Sequence, residues 1–188
     1  MAGKHLRERN GHGRETLWRV EGMADAKKGS VLQKRGWAAD RRDGFMIREI
    51  RGNDIAAVAS LEEGIFSDAW TRKGIEDSLQ QEHTVLLGIW KEHCMAGYVI
   101  LYYVLDEGEI ARIAVEPSSR RQGAAGLLLE RLETICESKG ILRLMLEVRR
   151  SNAAAVSFYK KHGFTEDGVR RGYYTNPCED ALLMSKKL

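Results

Sequence analysis

The 188-residue chain has only three cysteines, Cys94, Cys136 and Cys178. They are odd in number, widely separated and never spaced Cys-x-x-Cys, so neither a disulfide framework nor a structural zinc site is expected. No uninterrupted apolar stretch reaches membrane-spanning length, and the N-terminus lacks the apolar core of a signal peptide. The expectation is a cytoplasmic protein that needs neither metal nor membrane. Two phosphate-binding signatures are missing too. Neither Gly-x-Gly-x-x-Gly nor Gly-Lys-Ser/Thr occurs, which excludes the dinucleotide fingerprint and the P-loop. Internal repeats are absent.

What is present is ordinary for a globular protein, 43% apolar and 30% charged, and long enough for one domain with a full core. The net charge of +3 is unevenly placed. Residues 1–45 hold 11 Lys/Arg against 6 Asp/Glu, and the remainder holds 19 against 21. The first 45 residues also carry seven glycines and no sustained period, and are read as disordered or as a non-native extension. A basic tail could make weak contact with RNA. An upstream extension, with Met46 as the natural beginning, is the favoured alternative, and no specific nucleic-acid binding is expected. The domain proper is then 46–188.

From Met46 the pattern becomes regular. Met46–Ile50 reads as a strand, and Asn53 as a helix cap before Ile55, Val58, Ala59 and Leu61 at helical spacing. Phe66–Trp70 is a loop with aromatics at both ends, and Thr71 caps a second helix to about Leu79. Thr84–Trp90 and Met95–Leu105 form a hairpin around Lys91-Glu92-His93, and Glu109–Val115 is a third strand. A helix runs from Gly123 to Lys139, with Leu127, Leu128, Leu132 and Ile135 on one face and Gly140 as its αL terminator. Ile141–Val148 is nearly continuous in apolar side chains and is expected to be a buried central strand. Ser151-Asn152 caps a helix over Ala153–His162, and Phe164–Arg171 and Ala181–Ser185 close the chain as paired strands. The expected architecture is α/β (α+β), with a mixed, mostly antiparallel sheet of six to seven strands flanked by helices.

Val115 to Gly126 is the stretch around which the rest is organised. A strand that turns at Pro117 and enters a helix at Gly123 leaves unpaired N–H groups and the positive end of a helix dipole pointing outward. That is an anion site suited to phosphate, although a plain basic turn would read the same way. Gly123, Ala124, Ala125 and Gly126 permit close approach of a ligand to the backbone. Arg120 and Arg121 add charge.

Two further residues invite a chemical reading. Glu147 is the polar position in Leu144–Val148. It either pairs with Arg143 or Arg149 as a structural ion pair, or faces a cleft as a general base. Tyr159 either packs in the core beside Phe158 or serves as an acid toward a leaving group.

Arg120-x-x-Gly123-x-Ala125 after a strand resembles the acetyl-CoA pyrophosphate loop of the GCN5-related N-acetyltransferases. The wider set is similar to the bacterial ribosomal-protein-alanine N-acetyltransferases over residues 46–188. It comprises Phe66–Trp70, Ile113–Gly126, Leu146-Glu147-Val148-Arg149 with Ser151–Ala155, Phe158-Tyr159, Gly163-Phe164, and Arg170-Arg171-x-Tyr173-Tyr174 with Glu179-Asp180-Ala181 and Met184. The resemblance implies the acetyltransferase fold. It also implies acetyl-CoA contacts at Ile113, Ala114, Val115, Arg121, Gln122, Gly123, Ala124, Ala125, Gly126 and Asn152, with Glu147 as base and Tyr159 as acid. Ala125-Gly126 stands where the family often has Gly followed by Arg, which removes one phosphate contact.

The activity so implied is acetylation of the N-terminal alanine of a small-subunit ribosomal protein, by direct attack of the amine on the thioester, in a monomer. Acetylation of a small-molecule amine or a protein lysine is an alternative. A non-catalytic CoA-binding interaction protein is another, against which the presence of both Glu147 and Tyr159 speaks. The loops Phe66–Trp70 and Tyr173–Pro177 are expected to shape the acceptor site.

Overall fold

A computed structural model describes residues 38–188. One mixed sheet of eight strands forms the centre. They are β1 (Asp40–Arg42), β2 (Phe45–Glu49), β3 (Thr84–Lys91), β4 (Cys94–Val104), β5 (Glu107–Val115), β6 (Arg143–Arg149), β7 (Thr165–Thr175) and β8 (Cys178–Lys187). Their order is β1-β2-β3-β4-β5-β6-β8-β7. Only β5 and β6 pair in parallel; every other neighbour is antiparallel. Four helices complete the fold: α1 (Ile55–Ile65), α2 (Arg72–Gln80), α3 (Ala124–Ser138) and α4 (Ala153–Lys161).

The strand count corrects the six to seven expected. The additional strand is β1, which joins β2 through Asp43-Gly44, with φ of 50° and 78°. Two residues with positive φ, in the order Asp-Gly, make the tight hairpin turn that matches strand twist. Three residues are too few to show a period of two, so only the Asp-Gly pair marked it. The 1–45 segment therefore divides. Asp40–Arg42 belong to the sheet, while residues 1–37, with the readings placed on them, lie outside the described residues. Arg42 reaches Glu130 of α3 at 3.3 Å, and Arg131 donates to the Ala38 carbonyl at 3.1 Å.

Local chemistry sets the starts of α2 and α4 and the end of α4. The Thr71 hydroxyl accepts the Gly74 N–H at 3.1 Å, and Asn152 Oδ1 accepts that of Ala155 at 3.1 Å. At the end of α4, Gly163 adopts φ +87°. Its N–H goes to the Lys160 carbonyl at 3.1 Å and the Phe164 N–H to that of Tyr159 at 3.0 Å, a Schellman closure. The accompanying apolar contact is between Phe164 and Tyr159, whose rings lie 5.4 Å apart.

Two apolar clusters face the two sides of the sheet. Leu128, Leu129, Leu132 and Ile135 of α3 and Tyr159 of α4 pack with Leu87, Val99, Leu101, Leu144, Leu146 and Val148. Ile55 and Val58 of α1 and Ile75 of α2 pack with Leu86, Tyr98, Ile100 and Ala114. The central strands read as continuous apolar runs because alternate side chains are buried on opposite faces.

β6 departs from the expected fully buried strand. Leu144, Leu146 and Val148 are buried, while Arg143, Met145, Glu147 and Arg149 are half-buried. The physical reason is coverage: α1 and α2 lie over β3, β4 and β5. The α1–α2 side of β6 is thus left partly open.

Replacing Gly163 with Ala is expected to cost about 1 kcal/mol, because a side chain at φ +87° is strained even where there is room for it. Urea unfolding measures this. An unchanged midpoint would contradict it.

Candidate functional site

The site begins with a defect in the sheet. β4 pairs with β5 up to Ile100↔Arg112, then resumes at Leu101↔Ile110, so Ala111 is an extra residue, a β-bulge. On the other edge, β5 and β6 stay paired only from Glu107↔Arg143 to Ile110↔Leu146. Beyond that point Ala111–Val115 and Glu147–Arg149 have no cross-strand partners in each other. A bulge bends its strand, and this one falls where the two strands part. The result is a wedge in the sheet flanked by main-chain groups.

Parallel pairing brings the C-terminal ends of β5 and β6 to one end of the sheet. Both strand-to-helix turns therefore lie there: the start of α3 follows β5 and the start of α4 follows β6. Gly123 is the N-cap of α3, with φ +88°, and no side chain caps that helix. Its first-turn N–H groups are left for an external acceptor. Arg121 also has positive φ, +60°, unusual for a residue with a Cβ and costing on the order of 1 kcal/mol or more. A strained turn delivering uncapped N–H groups is a candidate anion cradle.

The candidate donor-binding residues divide by what their side chains do. Gln122 is engaged elsewhere: Nε2 donates to the Ser118 carbonyl at 2.8 Å, and Oε1 accepts from Lys91 at 2.7 Å. Only its main chain can serve the cradle. Arg120 is not a mobile charge, because its Nε donates to the Val115 carbonyl at 2.9 Å. Ala124 is buried, Ala125 and Gly126 are half-buried, and Arg121 is exposed. A Cβ on Gly126 would meet the His162 ring at 3.4 Å, so this glycine lets α3 approach the end of α4 closely. Ile113, Ala114 and Val115 form the β5 side of the wedge. Asn152 spends its carbonyl oxygen as the α4 cap, leaving its amide N–H groups to reach a ligand.

Glu147 lies on the open face of β6, its side chain 14% exposed. Its partner is neither Arg143 nor Arg149. Arg170 of β7 reaches across β8 to place Nη1 2.7 Å from Glu147 Oε1. Arg143 instead meets Asp167 at 3.3 Å, and Arg149 meets Glu179 at 3.5 Å. Glu147 Oε2 is buried and has no hydrogen-bond partner among the described residues. Such an oxygen costs about 1–3 kcal/mol or more until something donates to it.

Tyr159 approaches from the other face, 5% exposed between Phe158 and Phe164. Burial, with Tyr174 nearby, pushes its phenol well above the ordinary range. Tyr174 connects the two faces. Its hydroxyl lies 3.5 Å from the Glu147 carbonyl oxygen, and its own phenol is pushed up to about 12 by burial, then by Tyr173 and Glu147. Glu147 and Tyr159 thus belong to opposite sides of the sheet, with Tyr174 near each of them.

The loops flanking the open face are tied together. Ser67 Oγ donates to the Asn176 carbonyl at 3.2 Å, and Arg149 donates to the carbonyls of Asn176 and Pro177 at 2.8 and 3.1 Å. Below the Phe66–Trp70 loop is a polar cluster that sequence reasoning missed. Glu62, fully buried, accepts from the Tyr98 hydroxyl and from the Trp70 N–H at 3.3 Å, and lies 3.5 Å from Arg112 Nε. Helical spacing from Ile55, Val58 and Ala59 leads to Glu62, whereas Leu61 is only half-buried. A carboxylate on an apolar stripe was the available signal.

With this geometry in place, the Acetyltransferase (GNAT) family profile matches residues 55–164. The chain belongs to the GNAT acetyltransferase family. A ribosomal protein bS18-alanine N-acetyltransferase of Escherichia coli (strain K12) is 36% identical over 141 residues, covering 74% of this chain and 95% of the relative. The crystal structure of the ribosomal-protein-S18-alanine N-acetyltransferase from Escherichia coli superposes with a TM-score of 0.71 at 35% identity, covering 76% and 93% of the two chains. The PaiA N-acetyltransferase from Thermoplasma acidophilum, solved in complex with coenzyme A, shares the fold at 22% identity and a TM-score of 0.65, covering 77% and 99%. Among the described residues of this GNAT chain, no cluster of His, Cys, Asp and Glu could hold a metal ion, and no helix is long and apolar enough to cross a membrane.

Burial holds the Glu62 carboxyl above its ordinary value of 4.5, against the opposing effects of Tyr98, Arg112 and the Trp70 N–H. The native state therefore favours protonated Glu62 more than the unfolded state does. This contribution to stability is fully present below about pH 4.5 and is lost as pH rises through the raised native value. Glu62→Gln has no such titration, so the Tm of the variant minus that of the wild type should increase from pH 4.5 toward neutrality. A pH-independent difference would refute the assignment.

Proposed function

We propose that this GNAT chain is an acetyl-CoA-dependent N-α-acetyltransferase that acts on the N-terminal alanine of a small-subunit ribosomal protein, the counterpart of bS18. The observation that carries this reading is the wedge between β5 and β6, which opens beside the uncapped start of α3 with Glu147 on its free edge. The identity to the Escherichia coli bS18-alanine enzyme supports the choice of acceptor.

Acetyl-CoA supplies the acetyl group as a thioester. The residues fit such a donor: N–H groups of Gly123–Gly126 take the pyrophosphate, and the unpaired β5 edge at Ile113–Val115 aligns the pantetheine arm and polarises the thioester carbonyl. Arg121, through its charge, and the Asn152 amide add contacts. Glu147 accepts a proton from the incoming ammonium, directly or through a water, so that the free amine can attack. An N-terminal amine, with an ordinary pKa of about 7.7–8.0, asks much less of that base than a lysine does. Arg170 holds Oε1, leaving Oε2 as the acceptor in need of a donor. Tyr159, kept protonated by burial, gives its proton to the thiolate as the C–S bond breaks, and the second proton of the attacking nitrogen, released as the new C–N bond becomes an amide, restores the phenol. No cysteine is acylated in this scheme: Cys136 is buried in the core, with its thiol pushed up to about 12 by burial. The enzyme works as a monomer in the cytoplasm.

Glu147→Gln and Tyr159→Phe should each lower kcat by about 10²–10⁴-fold while acetyl-CoA affinity stays within about twofold. Mass spectrometry of peptides that start with free or blocked alanine reads both site and rate. Wild-type turnover in both variants removes the assignment, and acetylation of lysine in the blocked peptide replaces the acceptor.

A further inference from the structure

The chemistry proposed above leaves Arg112 unused, although it sits on β5 next to Ile113. Its side chain is 14% exposed and directs its contacts at the Phe66–Trp70 loop and at Glu62 of α1 beneath it. Nη2 donates to the Asp68 carbonyl at 2.9 Å and lies 3.4 Å from the Asp68 carboxylate. The guanidinium carbon lies 4.6 Å from the centre of the Phe66 ring and 5.3 Å from that of Trp70. Nε approaches Glu62, whose other oxygen takes the Trp70 N–H. Trp70 in turn stacks on Tyr102 with ring centres 6.3 Å apart.

We infer that Arg112 is a positioning residue for the acceptor peptide, clamping the Phe66–Trp70 loop in fixed relation to the β5 edge and so setting peptide affinity without touching the donor. This rests on the acetyltransferase reading and deepens it. Three observations favour it over a purely stabilising role. First, a buried ion pair is a poor source of stability, since desolvation offsets most of its attraction, and Arg112 Nε is buried with no hydrogen-bond partner among the described residues. Second, a planar guanidinium is the side chain that can lie against two aromatic rings while its edge reaches a carbonyl and a carboxylate. Third, the clamped loop is itself bonded to the loop beyond Tyr174 through Ser67 and Asn176. Both walls of the open face around Glu147 are thereby referred to one strand. A wall held in place before binding spares the peptide the cost of ordering it.

The test uses the full chain with Arg112→Gln and Arg112→Lys. Hydrogen exchange should accelerate in both variants within residues 66–71, where the Trp70 N–H resides, and remain unchanged in α3. The KM for a peptide with a free N-terminal alanine should rise by about tenfold in Arg112→Gln, the cost of reordering two aromatic side chains on binding. It should rise less in Arg112→Lys, which keeps the charge but not the planar fork. The KM for acetyl-CoA and kcat should stay within about twofold. An unchanged peptide KM, a parallel rise of both KM values, or failure of both variants to fold each overturns the inference. A wild-type chain that acetylates no such peptide overturns the acetyltransferase reading instead, and with it the role in peptide affinity. The exchange of residues 66–71 then decides the clamp separately.

Discussion

The parting of β5 from β6 after the Ile110↔Leu146 pair is the constraint on which the rest depends. A parallel pair that closed along its whole length would satisfy its main-chain groups internally and leave nothing for a ligand. The bulge at Ala111 prevents that closure. Gly97, opposite Val115 on β4, helps to accommodate the distorted strand: a Cβ there would lie 2.5 Å from the Ala114 carbonyl oxygen. The same parallel pairing sends both following helices off from one end of the sheet. The opening, the uncapped α3 terminus and the Asn152 cap thus arise together from topology.

Several unfavourable features lie around that opening. Arg121 has positive φ, Glu147 Oε2 and Arg112 Nε are buried with no hydrogen-bond partner among the described residues, and Glu62 is fully buried as a carboxyl group. Each costs on the order of 1 kcal/mol or more. The apolar clusters on the two faces of the sheet offset this; positive φ also occurs in the hairpin turns at Asp43, Glu92, His93 and Leu105, whereas the buried side-chain atoms without partners among the described residues are those of Glu147 and Arg112. Strain located beside a main-chain opening is the pattern of a binding site whose ligands complete it.

Much of this was legible because the deciding signals are local. Thr71, Asn152, Gly140 and Gly163 mark helix ends through their own side chain or their tolerance of positive φ, and the nearly continuous apolar runs of β3 and β4 marked the central strands. The cradle at Gly123 was readable because a helix start exposes N–H groups whatever surrounds it. What escaped depends on distant partners. Glu147 meets Arg170, 23 positions away, because β8 inserts between β6 and β7, and nothing local favours that over Arg143 or Arg149. β6 was expected to be buried on both faces, yet its second face lies beyond the reach of α1 and α2. Glu62 sat on a stripe whose other members were apolar, and the strand at Asp40–Arg42 was shorter than any period could reveal.

The separation of Glu147 and Tyr159 by the sheet suits the roles proposed for them. A group that stays protonated needs an apolar setting, and Tyr159 has one, supplied by Phe158, Phe164 and the Schellman turn that fixes its backbone carbonyl. A group that takes up a proton needs a polar setting and access to the acceptor, and the half-covered face of β6 with Arg170 beside it supplies those. Placed on one face, the two environments would compromise each other, since burial deep enough for the phenol would neutralise the carboxylate. A sheet opened between two strands resolves this. It keeps two dielectrics apart, one on each side of the gap where the proposed thioester would lie.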